Sequence, residues 1–249
     1  MLTEKQVLFY QTFGFLALRR LFSPDEVETI NQELIRRLDA VYHDRPFDGA
    51  MRHGAAMMGP DTPYFASLLE DQRFLGAARQ LYGDDVIASG LSGNRYVGNS
   101  DWHPDVDATH PGGPKFAIYL EPVEADTGAL RVIPGSHRSP FHDRLREDLG
   151  MHMEKAGFDI PELPAYVCES QPGDVVVFDL RLWHASWGGA SDRRMCTVEY
   201  LKHPRTPAEQ QTIRDIARNI MRDPDWQVYA QSSQARQASL DRLRKLAAG

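Results

Sequence analysis

Apolar positions recur at helical spacing near both ends of the chain and at strand spacing between them. Val7, Leu8, Tyr10 and Phe13 form a helical stripe ended by Gly14. Thr3, with Gln6 three residues on, makes a capping box at its start. Residues 15–18 are a short apolar run that predicts a strand. Ser23-Pro24-Asp25-Glu26 reads as a second helix start, with a cap, a proline in the first turn and acids at the positive end of the helix dipole. Val27, Ile30, Leu34 and Leu38 carry that helix to about Asp39. Residues 44–63 then lose all periodicity and are rich in Gly, Pro, Met and His. They predict a long loop, of the kind that serves as a lid or binding loop, with Arg52, His53 and Met57 as candidate pocket residues. A short helix is expected over 72–82.

From Val86 the period shortens to that of strands. Residues 86–89 and 94–97 read as two short strands with turn residues between them. Further strands are expected at 116–120, 129–133, 165–168, 175–179 and 193–200, separated by Gly- and Pro-containing turns. Val175-Val176-Val177-Phe178 is continuously apolar, which predicts a strand buried on both faces. A polar helical excursion is expected over roughly 141–156. Thr206-Pro207-Ala208-Glu209 starts a helix that opens a polar helical tail to Gly249. Its few apolar residues beyond Leu240, Leu243 and Leu246 predict loose packing or a dimer contact. Many short strands with tight turns predict a jelly roll or sandwich. The expected organisation is one domain over 1–249: helical support at 1–82, a β core at 83–203 and helices at 204–249.

Composition narrows the class. With 249 residues, 42% hydrophobic and 25% charged, the chain has the make-up of a globular protein. The net charge of -7 and the lack of a basic stripe argue against a nucleic-acid partner. Cys168 and Cys196 are far apart and have no CxxC partner, so they read as buried thiols of a reducing compartment. There is no signal-peptide pattern and no apolar run long enough for a bilayer. A cytoplasmic enzyme, monomeric or homodimeric, is expected.

The candidate chemistry centres on Trp102-His103-Pro104-Asp105. In an extended stretch, His103 and Asp105 point to the same side. One imidazole and one carboxylate are two corners of a metal site. His184, just past the strongest strand signal, can complete a 2-His-1-carboxylate facial triad, which leaves positions open on a non-haem iron(II). An HxD pair alone is a weak motif, so its context decides.

That context resembles the phytanoyl-CoA dioxygenase family of Fe(II)/2-oxoglutarate-dependent oxygenases over most of the chain. Phe13-Gly14-Phe15-Leu16 and Leu21-Phe22-Ser23-Pro24-Asp25-Glu26-Val27 look like the family's opening. Trp102-His103-Pro104-Asp105 matches its metal motif, and Gly128-Ala129-Leu130-Arg131-Val132-Ile133-Pro134-Gly135-Ser136-His137 its most recognisable stretch. Pro172-Gly173-Asp174, Phe178 and His184 match the approach to the distal histidine. The resemblance implies a double-stranded β-helix (jelly roll, cupin-like), mainly β with flanking α-helices. It implies iron(II), 2-oxoglutarate and O2, with release of succinate and CO2 as a small molecule is hydroxylated. It also implies a basic residue after the distal histidine for the far carboxylate of 2-oxoglutarate, which falls on Arg193 or Arg194, helped by Ser186. A guanidinium suits that task because it binds a carboxylate with two parallel hydrogen bonds.

On a strand, Arg193 and Arg194 point to opposite faces, so only one can face the interior. The family pattern favours Arg193, and a one-residue slip in register would select Arg194. Pro104 departs from the glutamine common in the family; it should stiffen the ligand strand and provides no backbone donor. Tyr119, Arg95 and Arg131 are further candidates for cosubstrate or substrate contacts. His137 is expected to stabilise a turn, and His43, His53, His110, His142, His152 and His203 are expected not to be ligands. Two rival readings remain: a halogenase, disfavoured because Asp105 holds the position that chloride would need, and a cupin-like metal-binding protein or isomerase that uses no 2-oxoglutarate.

Overall fold

The computed structural model describes residues 1–107, 110–150, 153, 157, 159–189 and 192–248. The N-terminal pattern folds as its caps dictate. Helix α1 (Glu4–Phe13) carries the Thr3/Gln6 capping box and ends at Gly14, which sits at φ 86°. Strand β1 (Phe15–Leu18) follows, then α2 (Pro24–Val41), opened by a second capping box between Ser23 and Glu26. Helix α2 buries Val27, Ile30, Leu34 and Leu38, the stripe its spacing predicts.

Residues 44–63 are not one loop. His53–Ala56 form strand β2, paired antiparallel with the next strand, and Pro63–Ser67 form a short helix α3. The buried Glu33 of α2 accepts hydrogen bonds from the Tyr64 and Phe65 amides at 2.9 and 2.8 Å. It thereby satisfies the first turn of α3, which has no side-chain cap of its own. The next helix, α4 (Leu75–Tyr82), starts later than residue 72.

The two short strands expected at 86–97 are one strand, β3 (Ile87–Tyr96). Gly90, Ser92 and Gly93 make no turn. At Gly93 a Cβ would collide with Leu34 and lie 3.0 Å from Met57 Cγ, so the glycine lets α2 approach the sheet. The remaining strands are β4 (Ser100–His103), β5 (Pro114–Tyr119), β6 (Leu130–Val132), β7 (Tyr166–Cys168), β8 (Val175–Asp179), β9 (His184–Ser186) and β10 (Arg193–Leu201). Helix α5 spans Phe141–Leu149, shorter than expected, and Gly150 caps it; residues 151–152 and 154–156 of the expected helix, His152 among them, lie outside the described residues. A single 3₁₀ turn follows at Ile160–Glu162.

Among the described residues ten strands build two antiparallel sheets. The six-stranded sheet has the order β1-β8-β5-β10-β3-β2, and the four-stranded sheet β4-β9-β6-β7. They face each other as a jelly roll, and every residue of β8 is buried, as its unbroken apolar run predicts. Helices α6 (Pro207–Arg222), α7 (Pro224–Ala230) and α8 (Gln234–Ala248) complete the chain. They do not pack loosely. Ile213, Ala217, Trp226, Tyr229, Leu240 and Leu243 are all buried in the main core cluster, together with Leu2, Ile30 and Phe116. Ile213, Trp226, Leu240 and Leu243 each lie between two polar neighbours, which is why the tail reads as sparse in the sequence. Cys168 and Cys196 are buried free thiols. Among the described residues no helix is long and apolar enough to cross a membrane.

Candidate active site

His103 is the last residue of β4, and His184 is the first of β9. The two strands pair so that His103 lies directly opposite His184, and Ser100 opposite Ser186. Pro104 ends β4, since it has no N–H to continue the ladder. Asp105 then sits in a bend, held by its own N–H to the Leu180 carbonyl at 2.9 Å. One ligand atom from each of His103, Asp105 and His184 lies within 4.8 Å of the others.

The donor set suits a metal cation. Nδ1 of His103 meets the Asp101 carbonyl at 2.6 Å, and Nδ1 of His184 meets the Leu182 carbonyl at 2.9 Å. A carbonyl only accepts, so Nδ1 carries the proton in both rings and Nε2 carries the lone pair. His184 is buried, which pushes its imidazolium down to about 4 despite the nearby Asp105 carboxylate, so the ring is neutral at neutral pH. Asp105 Oδ2 is buried with no hydrogen-bond partner and lies 3.9 Å from His184 Nε2. A buried carboxylate oxygen between two imidazoles, with no donor, fits a bound cation.

Lys115 was not expected from the sequence. Its Nζ lies 3.1 Å from Asp105 Oδ1 and 3.9 Å from Glu199 Oε2. Burial disfavours the ammonium, but Asp105 and Glu199 outweigh it and hold Lys115 above the ordinary lysine range. Burial likewise raises Asp105, yet Lys115 and then His184 bring its carboxyl net below the usual value. Glu199 in turn accepts from Ser89 Oγ at 3.0 Å. The chain Asp105–Lys115–Glu199–Ser89 thus fixes one carboxylate oxygen and leaves the other aimed at the site.

A cavity of about 190 Å³ opens between the sheets beside these residues, lined by Arg52, Tyr96, Tyr119, Ser186, Arg193 and Thr197 among others. Arg193 is 4% exposed and donates from Nη2 to Ser186 Oγ at 2.9 Å. Its Nε and Nη1 are buried without partners. Two buried guanidinium donors without a partner call for an acceptor, which a carboxylate in the cavity would provide. Gly128, at φ 96°, explains the glycine of the most recognisable sequence stretch: a Cβ there would collide with the Arg193 guanidinium. Ser136, in the same stretch, accepts the Trp183 amide at 2.9 Å and so braces the entry to His184.

The other candidates fall elsewhere. Arg194 points to the opposite face of β10, where it pairs with Glu121 and with Asn31 Oδ1 of α2 at 2.7 Å. Arg95 is paired with Asp192 at 2.6 Å and stacks on Phe47. Arg131 is buried and donates to the Ala125 carbonyl at 2.7 Å, outside the cavity lining. His53 is buried, stacked on Tyr42 at 3.8 Å between ring centres, and lines no part of the cavity. Met57 is core. Tyr119 and Arg52 do line the cavity. Lys115, Tyr96 and Thr197 are among the lining residues that the sequence does not single out. Alternation along β5 places Lys115, Ala117 and Tyr119 on one face, a signal that was present but carried no motif.

The phytanoyl-CoA dioxygenase family model matches residues 10–196. The chain belongs to the phytanoyl-CoA dioxygenase family. The match spans both sheets and all three triad residues. Relatives include the ectoine dioxygenases of Bordetella bronchiseptica, 27% identical over 74% of this chain and 70% of the relative, and of Stutzerimonas stutzeri, 26% identical over 77% and 74%. Among solved structures, HygX from Streptomyces hygroscopicus with nickel and 2-oxoglutarate bound has a TM-score of 0.62 at 23% identity, covering 81% of this chain and 87% of HygX. The 2-oxoglutarate-dependent carbocyclase SnoK from nogalamycin biosynthesis has a TM-score of 0.60 at 23% identity over 81% and 84%. These similarities establish the jelly-roll architecture of this phytanoyl-CoA dioxygenase family chain.

Proposed function

We propose that the protein hydroxylates a small molecule, with iron(II) held by His103, Asp105 and His184, and 2-oxoglutarate held by Arg193 and Ser186. Membership of the phytanoyl-CoA dioxygenase family makes the chain an iron(II)- and 2-oxoglutarate-dependent dioxygenase. The observation that carries the residue assignment is the pairing of two orphaned groups in one cavity: Asp105 Oδ2 between two imidazoles, and the partnerless Nε and Nη1 of Arg193. The metal would provide activation of O2, driven by oxidative decarboxylation of 2-oxoglutarate to succinate and CO2.

The chain's own residues do the rest. His103 and His184 present Nε2 because backbone carbonyls hold their Nδ1 protons. Lys115 holds Asp105 on one oxygen, which directs the other to the metal. Arg193 and Ser186 orient the far carboxylate of the cosubstrate, and buried Tyr119 and Phe178 wall off water. Asp105 argues against halogenation, and Arg193 against a cupin that uses no 2-oxoglutarate. Residues 1–249 act as one catalytic domain, a reading supported by the shared core of N-terminal helices, sheet and C-terminal helices.

The test is calorimetric titration of 2-oxoglutarate into Ni(II)-loaded protein, followed by succinate formation with iron(II) and ascorbate. Binding that requires the metal, with slow succinate release in the absence of substrate, is expected. Failure of 2-oxoglutarate to bind the metal-loaded protein would remove the reading.

A further inference from the structure

We propose that the substrate carries an oxyanionic group, a carboxylate or a phosphate, which Arg52 binds at the mouth of the cavity. The inference rests on the proposed function and deepens it. Arg52 precedes β2 and lines the same cavity as the triad. It is solvent-exposed, yet it is held in place. Its Nε and Nη2 donate to the buried Asn94 Oδ1 at 3.2 and 2.7 Å. Asn94 donates from Nδ2 to Ser92 Oγ at 3.3 Å, and Ser92 Oγ meets Thr197 Oγ1 at 2.8 Å. The Arg52 guanidinium also lies over the Tyr96 ring, 4.1 Å from its centre. An exposed arginine usually ranges freely, because its side-chain entropy opposes ordering. Here a partly buried polar row across β3 and β10 and an aromatic ring fix it instead.

What Arg52 lacks is a carboxylate. Arg95 has Asp192, Arg194 has Glu121, Arg181 has Asp179 and Arg73 has Asp71. Among the described residues Arg52 forms no ion pair, and its only acceptor is a neutral amide. The other arginine in the cavity lining, Arg193, also lacks a carboxylate, and it is the one assigned to 2-oxoglutarate.

Charge balance points the same way. Arg52, Lys115 and Arg193 face the single carboxylate Asp105 within the lining. Iron(II) and the 2-oxoglutarate dianion cancel each other. Asp105 offsets one of the three cations, and neighbouring Glu199 at most one more. A positive charge is left over in a site with low-dielectric walls, which favours an anionic guest. With 2-oxoglutarate held against Arg193, the solvent-exposed Arg52 would remain available on the same lining for a guest. A guest anchored there by its oxyanion would extend its carbon chain inward to the metal.

The experiment uses full-length Ni(II)-loaded protein saturated with 2-oxoglutarate, which binds without turnover. Matched probes are titrated by calorimetry: hexanoate against hexanamide, benzoate against benzamide, and phenyl phosphate against phenol. The acids are expected to bind at least about tenfold tighter than their neutral partners, the size of one charge-assisted contact. The rank of carboxylate and phosphate probes identifies which oxyanion is preferred. Arg52→Gln is expected to erase the preference, and Arg52→Lys to restore part of it, while both keep their 2-oxoglutarate affinity, which also reports that they fold. Acids and neutral partners binding alike in the wild type would overturn the proposal and leave the dioxygenase reading intact. So would a preference that survives in Arg52→Gln. If Arg52→Gln instead weakens 2-oxoglutarate, Arg52 belongs to the cosubstrate site and the proposal is wrong. If wild-type Ni(II) protein binds no 2-oxoglutarate, the proposed function falls and this inference with it.

Discussion

At the scale of single residues, the site is made of side chains held by neighbours that do not themselves touch the metal. Lys115 is the clearest case. Lys115→Met should lower iron affinity or turnover by about 10–100-fold, the usual effect of removing a partner that orients a ligand. Iron content after dialysis against a weak chelator checks it. Arg193→Ala should raise the KM for 2-oxoglutarate by roughly 30-fold or more, while Arg194→Ala, whose partners Glu121 and Asn31 lie outside the cavity, should leave it nearly unchanged. Gly128→Ala should imitate Arg193→Ala more weakly, because its Cβ displaces the guanidinium. Asp174 shows a structural use of the same chemistry. It accepts from Arg19 Nη1 and the Arg20 amide, both at 2.8 Å, and from the Gln171 amide at 3.1 Å. Burial pushes its carboxyl up, but these donors outweigh that and hold it below the usual value. A depressed folded value means that its stabilisation is complete above the unfolded value of about 3.9 and is lost as pH falls through the folded one. Asp174→Asn should therefore cost about 1–3 kcal/mol at neutral pH and flatten the acid limb of the stability curve, read by urea melts between neutral and acid pH.

At the scale of elements, short-range patterns were legible and long-range ones were not. The capping boxes of Thr3, Ser23 and Thr206 marked three helix starts because a cap is a contact between near neighbours. His103, Asp105 and His184 could be picked out because they sit in recognisable stretches. Lys115 could not, since its partner Glu199 lies on another strand and no local rule links them. The sequence divides β3 because Gly90, Ser92 and Gly93 look like turn residues, whereas Gly93 is small to admit Leu34 and Met57. Gly93→Ala should thus destabilise the fold by about 1–3 kcal/mol through overpacking, measurable by denaturant titration. The composition of residues 44–63 predicts a loop of the kind that serves as a lid or binding loop. Instead, His53–Ala56 pair with Arg95, Asn94, Gly93 and Ser92 of β3. Hydrogen exchange should find the ladder amides of β2 protected to the same degree with and without substrate, with any change confined to residues 44–51. Strong substrate-induced protection inside β2 would restore the lid.

At the scale of the whole molecule, the C-terminal helices are part of the core. Trp226 and Tyr229 are 2% exposed and pack in the same cluster as Ile30 of α2 and Phe116 of β5. Trp226→Ala should cost about 3–5 kcal/mol, and removal of residues 207–249 should leave an insoluble chain.

The pairing of His103 with His184 has a consequence for how the chain folds. The two histidines lie on strands far apart in sequence that meet only when the smaller sheet has closed. A nascent or partly unfolded chain therefore holds only separated fragments of the ligand set, and the ion selects the closed topology by mass action. Nickel, which supports no turnover, should raise the melting temperature of the wild type in proportion to the logarithm of its free concentration and leave His184→Ala unmoved. The centre would then act as a reversible crosslink, the last stitch in a sheet whose two histidine-bearing strands are distant in the chain.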